Sequence, residues 1–187
     1  MKKKIPAMDL SVKCEDVAVI KERLFCLLEK KDYYNFCLTK WALAELGYLL
    51  ADGAFEIGKE RTMKILNGYF RSENFMEFVI MASCAKTTGD LVDDSFIDRK
   101  RSSIDEWQKG ALTGLKRTKT AESYFCAIIL TSALKKLGFS PEPVIWKNAA
   151  PFLAQYINKY KNSASPEMAL AAKAAIKAIV YEGIVIY

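Results

Sequence analysis

The sequence contains no histidine, and this absence excludes several classes of chemistry. Ser-His-Asp and Cys-His catalysis need an imidazole base, and many zinc sites need an imidazole ligand. Carboxylate, lysine, tyrosine and cysteine chemistry stay open. Long hydrophobic runs are also lacking, because polar residues break the apolar stretches 75–85 and 125–130 well short of the ~18 residues of a membrane span.

Paired cysteines are absent as well. The five cysteines are odd in number and form no C-x-x-C pair, which argues against a disulfide framework or a zinc site and favours a reducing compartment. The lysine-rich start resembles a signal peptide, but the charges of Asp9, Lys13, Glu15 and Asp16 interrupt any apolar core that could follow it. We therefore expect a cytoplasmic protein with no membrane partner.

Helix-capping signals predict an all-α fold. Thr120 is expected to cap a helix that Gly138 ends, and Ser103 with Glu106 has capping-box spacing. Ser72 and Ser165 are two further predicted N-caps. The predicted helices span residues 15–31, 33–48, 55–70, 73–89, 104–117, 121–137, 142–161 and 166–182. The sequence also allows a short extended segment near each terminus.

The two halves of the chain resemble each other. Residues 32–48 align with residues 123–139 at a shift of 91, so that Leu46-Gly47-Tyr48 meets Leu137-Gly138-Phe139. The alignment favours an internal repeat over chance similarity between amphipathic helices. We expect about eight helices in two similar four-helix halves, residues 1–94 and 95–187, packed as one domain and one compact bundle.

Positive charge is concentrated in the second half. Residues 1–94 contain 14 Lys/Arg and 15 Asp/Glu, whereas residues 95–187 contain 14 and 7. This asymmetry predicts an acidic partner, protein or nucleic acid, for the second half, which would contact residues 95–120. The alternative explanation is a solvated lysine-rich surface. The candidate anion-binding residues are Arg99, Lys100, Arg101, Lys109, Lys116, Arg117 and Lys119. The aromatic rings of Trp107 and Tyr124 are candidates for stacking on exposed bases.

A second candidate site lies between the halves. The carboxylates of Asp90, Asp93, Asp94 and Asp98 fall within nine residues, and three of them share a helical face at i, i+4 and i+8. Hard oxygen ligands of this kind suit magnesium bound to phosphate. The alternative is a linker in which Asp93 or Asp94 caps a helix and opposite charges neutralise one another.

This segment resembles the first aspartate-rich motif of the polyprenyl synthases. The matching residues are Asp93, Asp94, Asp98, Arg99 and Arg101. The resemblance implies binding of magnesium diphosphate. The chain has no second aspartate-rich motif, and it is shorter than that fold requires.

These observations favour a non-enzymatic helical binding or scaffold protein without a cofactor. Small basic helical subunits of prokaryotic nucleoprotein complexes have a similar composition. One alternative is a magnesium-dependent enzyme that acts on a phosphate or diphosphate substrate through the four aspartates. A structural homo-oligomer joined by the apolar tail, residues 184–187, is the other alternative.

Overall fold

A computed structural model describes residues 14–48, 50, 55, 57–87, 92–118, 120–141, 155, 159, 170–171, 173–174 and 177. The chain is all-helical in these residues, which confirms the predicted fold class. Seven helices are described: α1 (Cys14–Glu29), α2 (Tyr33–Glu45), α3 (Lys59–Arg71), α4 (Phe75–Thr87), α5 (Asp94–Asp98), α6 (Arg101–Thr118) and α7 (Ala121–Lys136). Most of the predicted helices 142–161 and 166–182, together with the apolar tail, lie outside the described residues.

Two helices begin at capping side chains, and one of these, Thr120, is the cap that the sequence predicts. The side chain of Asp32 accepts a hydrogen bond from the Asn35 amide at the start of α2. Thr120 and Ser123 form a reciprocal capping box at the start of α7, at 3.1 and 2.9 Å. These side chains satisfy amides that the first helical turn leaves without a partner.

Two capping predictions are wrong. Ser72 is the C-cap of α3 rather than the N-cap of α4, which begins at Phe75. Ser103 lies inside α6, because that helix begins two residues earlier at Arg101. The chain around Asp94 forms a short helix, α5, that is absent from the eight predicted helices, and Asp93 is its N-cap. A predicted capping residue is confirmed only where the tertiary fold places the terminus of a helix at that residue.

The core is organised around α4. Residues 78–85 of this helix are all buried, so apolar contacts surround its whole circumference. Helices α2, α3 and α7 pack against it. Helix α1 packs on α2 and α6 packs on α7, which places both in an outer layer.

Helices α2 and α7 both pack against α4 and run in the same direction. The carboxylate of Glu45 and the ammonium of Lys136 form an ion pair at their C-terminal ends. Near their N-terminal ends, Tyr34 lies within electrostatic range of Cys126. Matching ends therefore meet at both places, which fixes the parallel orientation.

The two helices end in the same motif. Gly47 and Gly138 have φ angles of 92° and 80°, in the left-handed region that favours glycine. The amide of Tyr48 donates to the Leu43 carbonyl at 2.8 Å, and that of Phe139 donates to the Leu134 carbonyl at 3.0 Å. This is the glycine-terminated turn expected from the sequence at both positions.

No helix in the described part of the chain is long and apolar enough to cross a membrane.

Substitution of Gly138 by alanine should destabilise the protein by about 1–2 kcal/mol, because a β-carbon is unfavourable at positive φ. Gly110→Ala is the matched control: Gly110 lies inside α6 with open space around it, so alanine should stabilise by about 0.5–1 kcal/mol. Urea unfolding followed by circular dichroism measures both changes. Shifts of the same sign for the two variants would refute this assignment of the helix end.

Candidate functional site

The described aspartates of the sequence-predicted metal site all interact with protein groups. Asp93 caps α5 by accepting from the Ser95 amide at 3.0 Å, and this hydrogen bond chiefly lowers the pKa of its carboxyl group. Asp94 pairs with Lys86 at 2.7 Å, and Asp98 pairs with Arg101 at 2.9 Å. Helix capping and charge neutralisation account for these three side chains.

Asp90 lies outside the described residues. In the part of the chain that is described, no group of three or more Asp, Glu, Cys or His side chains is placed to hold a metal ion. The magnesium site stays a prediction from the sequence.

Lys100 is fixed above two aromatic rings. Its ammonium lies 4.3 Å from the centroid of Phe70 and 4.4 Å from that of Phe96. A ring face attracts a cation, so these contacts hold the lysine across the junction of α3 and α5. Burial lowers the pKa of Lys100, and the guanidinium groups of Arg99 and Arg71 lower it further. Both arginines therefore lie close enough to Lys100 to repel its charge.

Arg101 fastens the start of α6 to the end of α7. Its guanidinium donates to the Gly138 carbonyl at 3.1 Å and lies 4.6 Å from the centre of the Phe139 ring. The same group also pairs with Asp98. These contacts connect residues far apart in the chain and assign Arg101 a structural role.

The remaining predicted cations are dispersed. Arg99, Lys109 and Arg117 are exposed. Lys109 lines a shallow depression together with three carboxylates, those of Asp98, Asp105 and Glu106. The side chain of Lys116 and the whole of Lys119 lie outside what the structure describes. Of these three exposed cations, Arg99 is the one that neighbours Lys100.

Helix α3 contributes cations that the sequence analysis missed. Arg61, Lys64 and Arg71 are exposed, and their spacing of i, i+3 and i+10 places them on one helical face. Glu60 is the carboxylate on that face. The periodicity was present in the sequence, but a net charge near zero for residues 1–94 concealed it.

These residues form one basic surface, because Lys100 connects the end of α3 to the end of α5. We call Arg61, Lys64, Arg71, Arg99 and Lys100 the α3 surface. None of its five cations forms an ion pair with a carboxylate of the described chain. Within the described residues, no salt bridge therefore neutralises the positive charge of this surface.

The two aromatic side chains that are candidates for base stacking pack against other residues of the fold. Tyr124 is 5% exposed and belongs to the core. Trp107 is half-buried, and its ring centroid lies 5.7 Å from that of Phe75. Tyr124 is inaccessible to a base, and Trp107 already packs against another ring.

Burial also limits thiol and phenol chemistry. It raises the pKa of the Cys126 thiol, and the Glu122 carboxylate raises that pKa further. Burial likewise raises the pKa of Tyr34, with smaller contributions from Cys126 and Glu77. Both groups are therefore protonated at neutral pH, which disfavours a nucleophilic role.

No protein-family model, curated protein or solved structure matches this chain. The α3 surface is therefore interpreted from its own residues.

Replacing Arg101 by alanine should destabilise the protein by roughly 1–2 kcal/mol, because a hydrogen bond, an ion pair and a ring contact are lost together. Arg99→Ala is the control: an exposed side chain without such contacts should change stability by less than about 0.5 kcal/mol. Chemical denaturation compares the two variants. Equal losses of stability in the two variants would contradict the conclusion that Arg101 stabilises the fold whereas Arg99 does not.

Proposed function

We propose that the chain is a non-enzymatic helical binding protein whose α3 surface contacts an acidic partner. The observation that supports the proposal is a group of five cations from α3 and the end of α5, none of which forms a salt bridge within the described residues. Like charges held together raise the local positive potential, and an anion that binds there relieves their repulsion.

The acidic side chains near this surface do not cancel its charge. Glu60 lies on the same face of α3 but forms no ion pair. Asp93 interacts electrostatically with Arg99 and Lys59, while its carboxylate accepts the capping hydrogen bond from Ser95. Lys86 and Arg101 neutralise the next two aspartates along the chain. The surface consequently keeps a positive balance.

We also propose that the α1–α2 and α6–α7 hairpins are copies of one unit, as the aligned sequences suggest. The parallel orientation of α2 and α7 supports this relationship, as do their matching glycine-terminated ends. Glu45 and Lys136, which form an ion pair with each other, occupy equivalent positions at the shift of 91. A scaffold built in this way presents α3 on one outer face.

Retention on immobilised heparin, a generic polyanion, tests the binding function. The wild-type protein should elute only at raised salt, and Arg71→Glu should elute at clearly lower salt, because a contact cation becomes an anion. Glu60→Lys should elute later than wild type, a gain that damage to the fold does not produce.

Lys21→Glu on α1 is the matched control, because it makes the same change of net charge at an exposed lysine outside the α3 surface. This variant should elute close to wild type. Equal shifts for Arg71→Glu and Lys21→Glu would show that net charge alone determines retention, and the proposed surface would be rejected.

A further inference from the structure

We propose that the partner of the α3 surface is a nucleic acid, held through its phosphate backbone without readout of the bases. Arg71, Lys100 and Arg99 form the closest phosphate contact. This inference rests on the function proposed above, and it specifies the chemical class of the acidic partner.

The arrangement of the cations suits a linear polyanion. Arg61, Lys64 and Arg71 lie along one face of α3, and the ten residues from first to last span about 15 Å at 1.5 Å per residue. Duplex DNA presents one negative charge per about 1.7 Å of its axis, so such a row meets several phosphates at once. A small anion would contact only one end of the row.

Gly68 leaves a gap in the same face. It is exposed between Lys64 and Arg71, and a β-carbon added there would have no neighbour within 4 Å. Glycine inside a helix is unfavourable for the fold, but the missing side chain lets a ligand backbone approach closely. A phosphate strand placed along α3 would cross this gap between the two flanking cations.

Lys100 provides a fixed point at the end of the row. The rings of Phe70 and Phe96 restrict its ammonium before any ligand binds, so little side-chain freedom is lost on binding. The two neighbouring arginines offer planar, bidentate donors that match phosphate oxygens. A phosphate in this position would offset the repulsion that each arginine exerts on Lys100.

The surface lacks a platform for base stacking. Phe96 is buried, and the ammonium of Lys100 lies over the rings of both Phe96 and Phe70. In the described part of the chain, the large apolar side chains that are exposed, Val19 and Phe25, belong to α1. Stacking on aromatic rings is a main source of single-strand affinity, so we expect contacts to phosphate alone.

Fluorescence anisotropy with labelled oligonucleotides tests the inference. Two duplexes of unrelated sequence should bind the full-length protein with equal affinity, and the affinity should fall steeply as salt rises. A labelled polyglutamate of matched charge should bind at least about tenfold more weakly, because carboxylates on a flexible chain do not reproduce the phosphate spacing.

Single substitutions locate the contact. Arg71→Ala and Arg99→Ala should each weaken duplex binding roughly five- to tenfold at low salt and reduce the salt slope by about one. Gly68→Gln should weaken binding by closing the gap, whereas Gly110→Gln, at an exposed glycine of α6, should bind like wild type. The circular dichroism of each variant confirms that it is folded.

The outcomes separate this inference from the function on which it rests. Polyglutamate binding as tight as duplex binding would overturn the nucleic-acid assignment and leave the basic surface in place. Duplex binding that is unchanged in both arginine variants would overturn the Arg71–Lys100–Arg99 contact. Absence of salt-dependent binding to every polyanion, heparin included, would overturn both proposals.

Discussion

The burial of α4 on all sides is the constraint on which the rest of the described fold depends. A helix without a polar face cannot lie on a surface, so other helices must enclose it. Helices α2 and α7 meet this requirement from two sides, with residues 36–43 of α2 continuously buried. Helix α3 covers a further side and keeps an exposed polar face. The basic surface therefore follows from the way the core is enclosed.

The described cations near the α3 surface and at the helix ends have two different physical roles. Arg101 and Lys136 form ion pairs and ring contacts that join separate helices. Arg61, Lys64, Arg71 and Arg99 point to solvent without an ion pair in the described residues. Lys100 combines both roles, because it joins α3 to α5 and also lies beside two arginines of the α3 surface. This division explains why a count of basic residues locates a binding surface poorly.

Local signals in the sequence predicted the fold class and the approximate positions of six of the seven described helices. Thr120, Gly47 and Gly138 act through hydrogen bonds or dihedral angles of their immediate neighbours, so their roles can be deduced without tertiary structure. Ser72 and Ser103 have similar local patterns, but the fold ends α3 and begins α6 elsewhere. Capping residues in the sequence identify candidate helix termini, and tertiary packing determines which of these candidates are used.

The candidate site was less predictable. Arg99 and Lys100 were identified from sequence, but their connection to α3 depends on Phe70, about thirty residues earlier in the chain. Such a contact has no signature in a local pattern. The row of cations on α3 does have a local sequence signature. The net charge summed over each half did not show it, because acidic residues elsewhere in the first half offset these positive charges. Charge counted along each helical face would have shown it.

Hydrogen exchange measured with and without duplex DNA tests most directly whether the partner binds the surface that the enclosure of α4 leaves exposed. Bound DNA should slow amide exchange in peptides that cover α3 and residues 94–101, because both contribute to the α3 surface. Peptides from α1 should exchange at the same rate in both states. Slower exchange in α1 with no change in α3 would contradict the account.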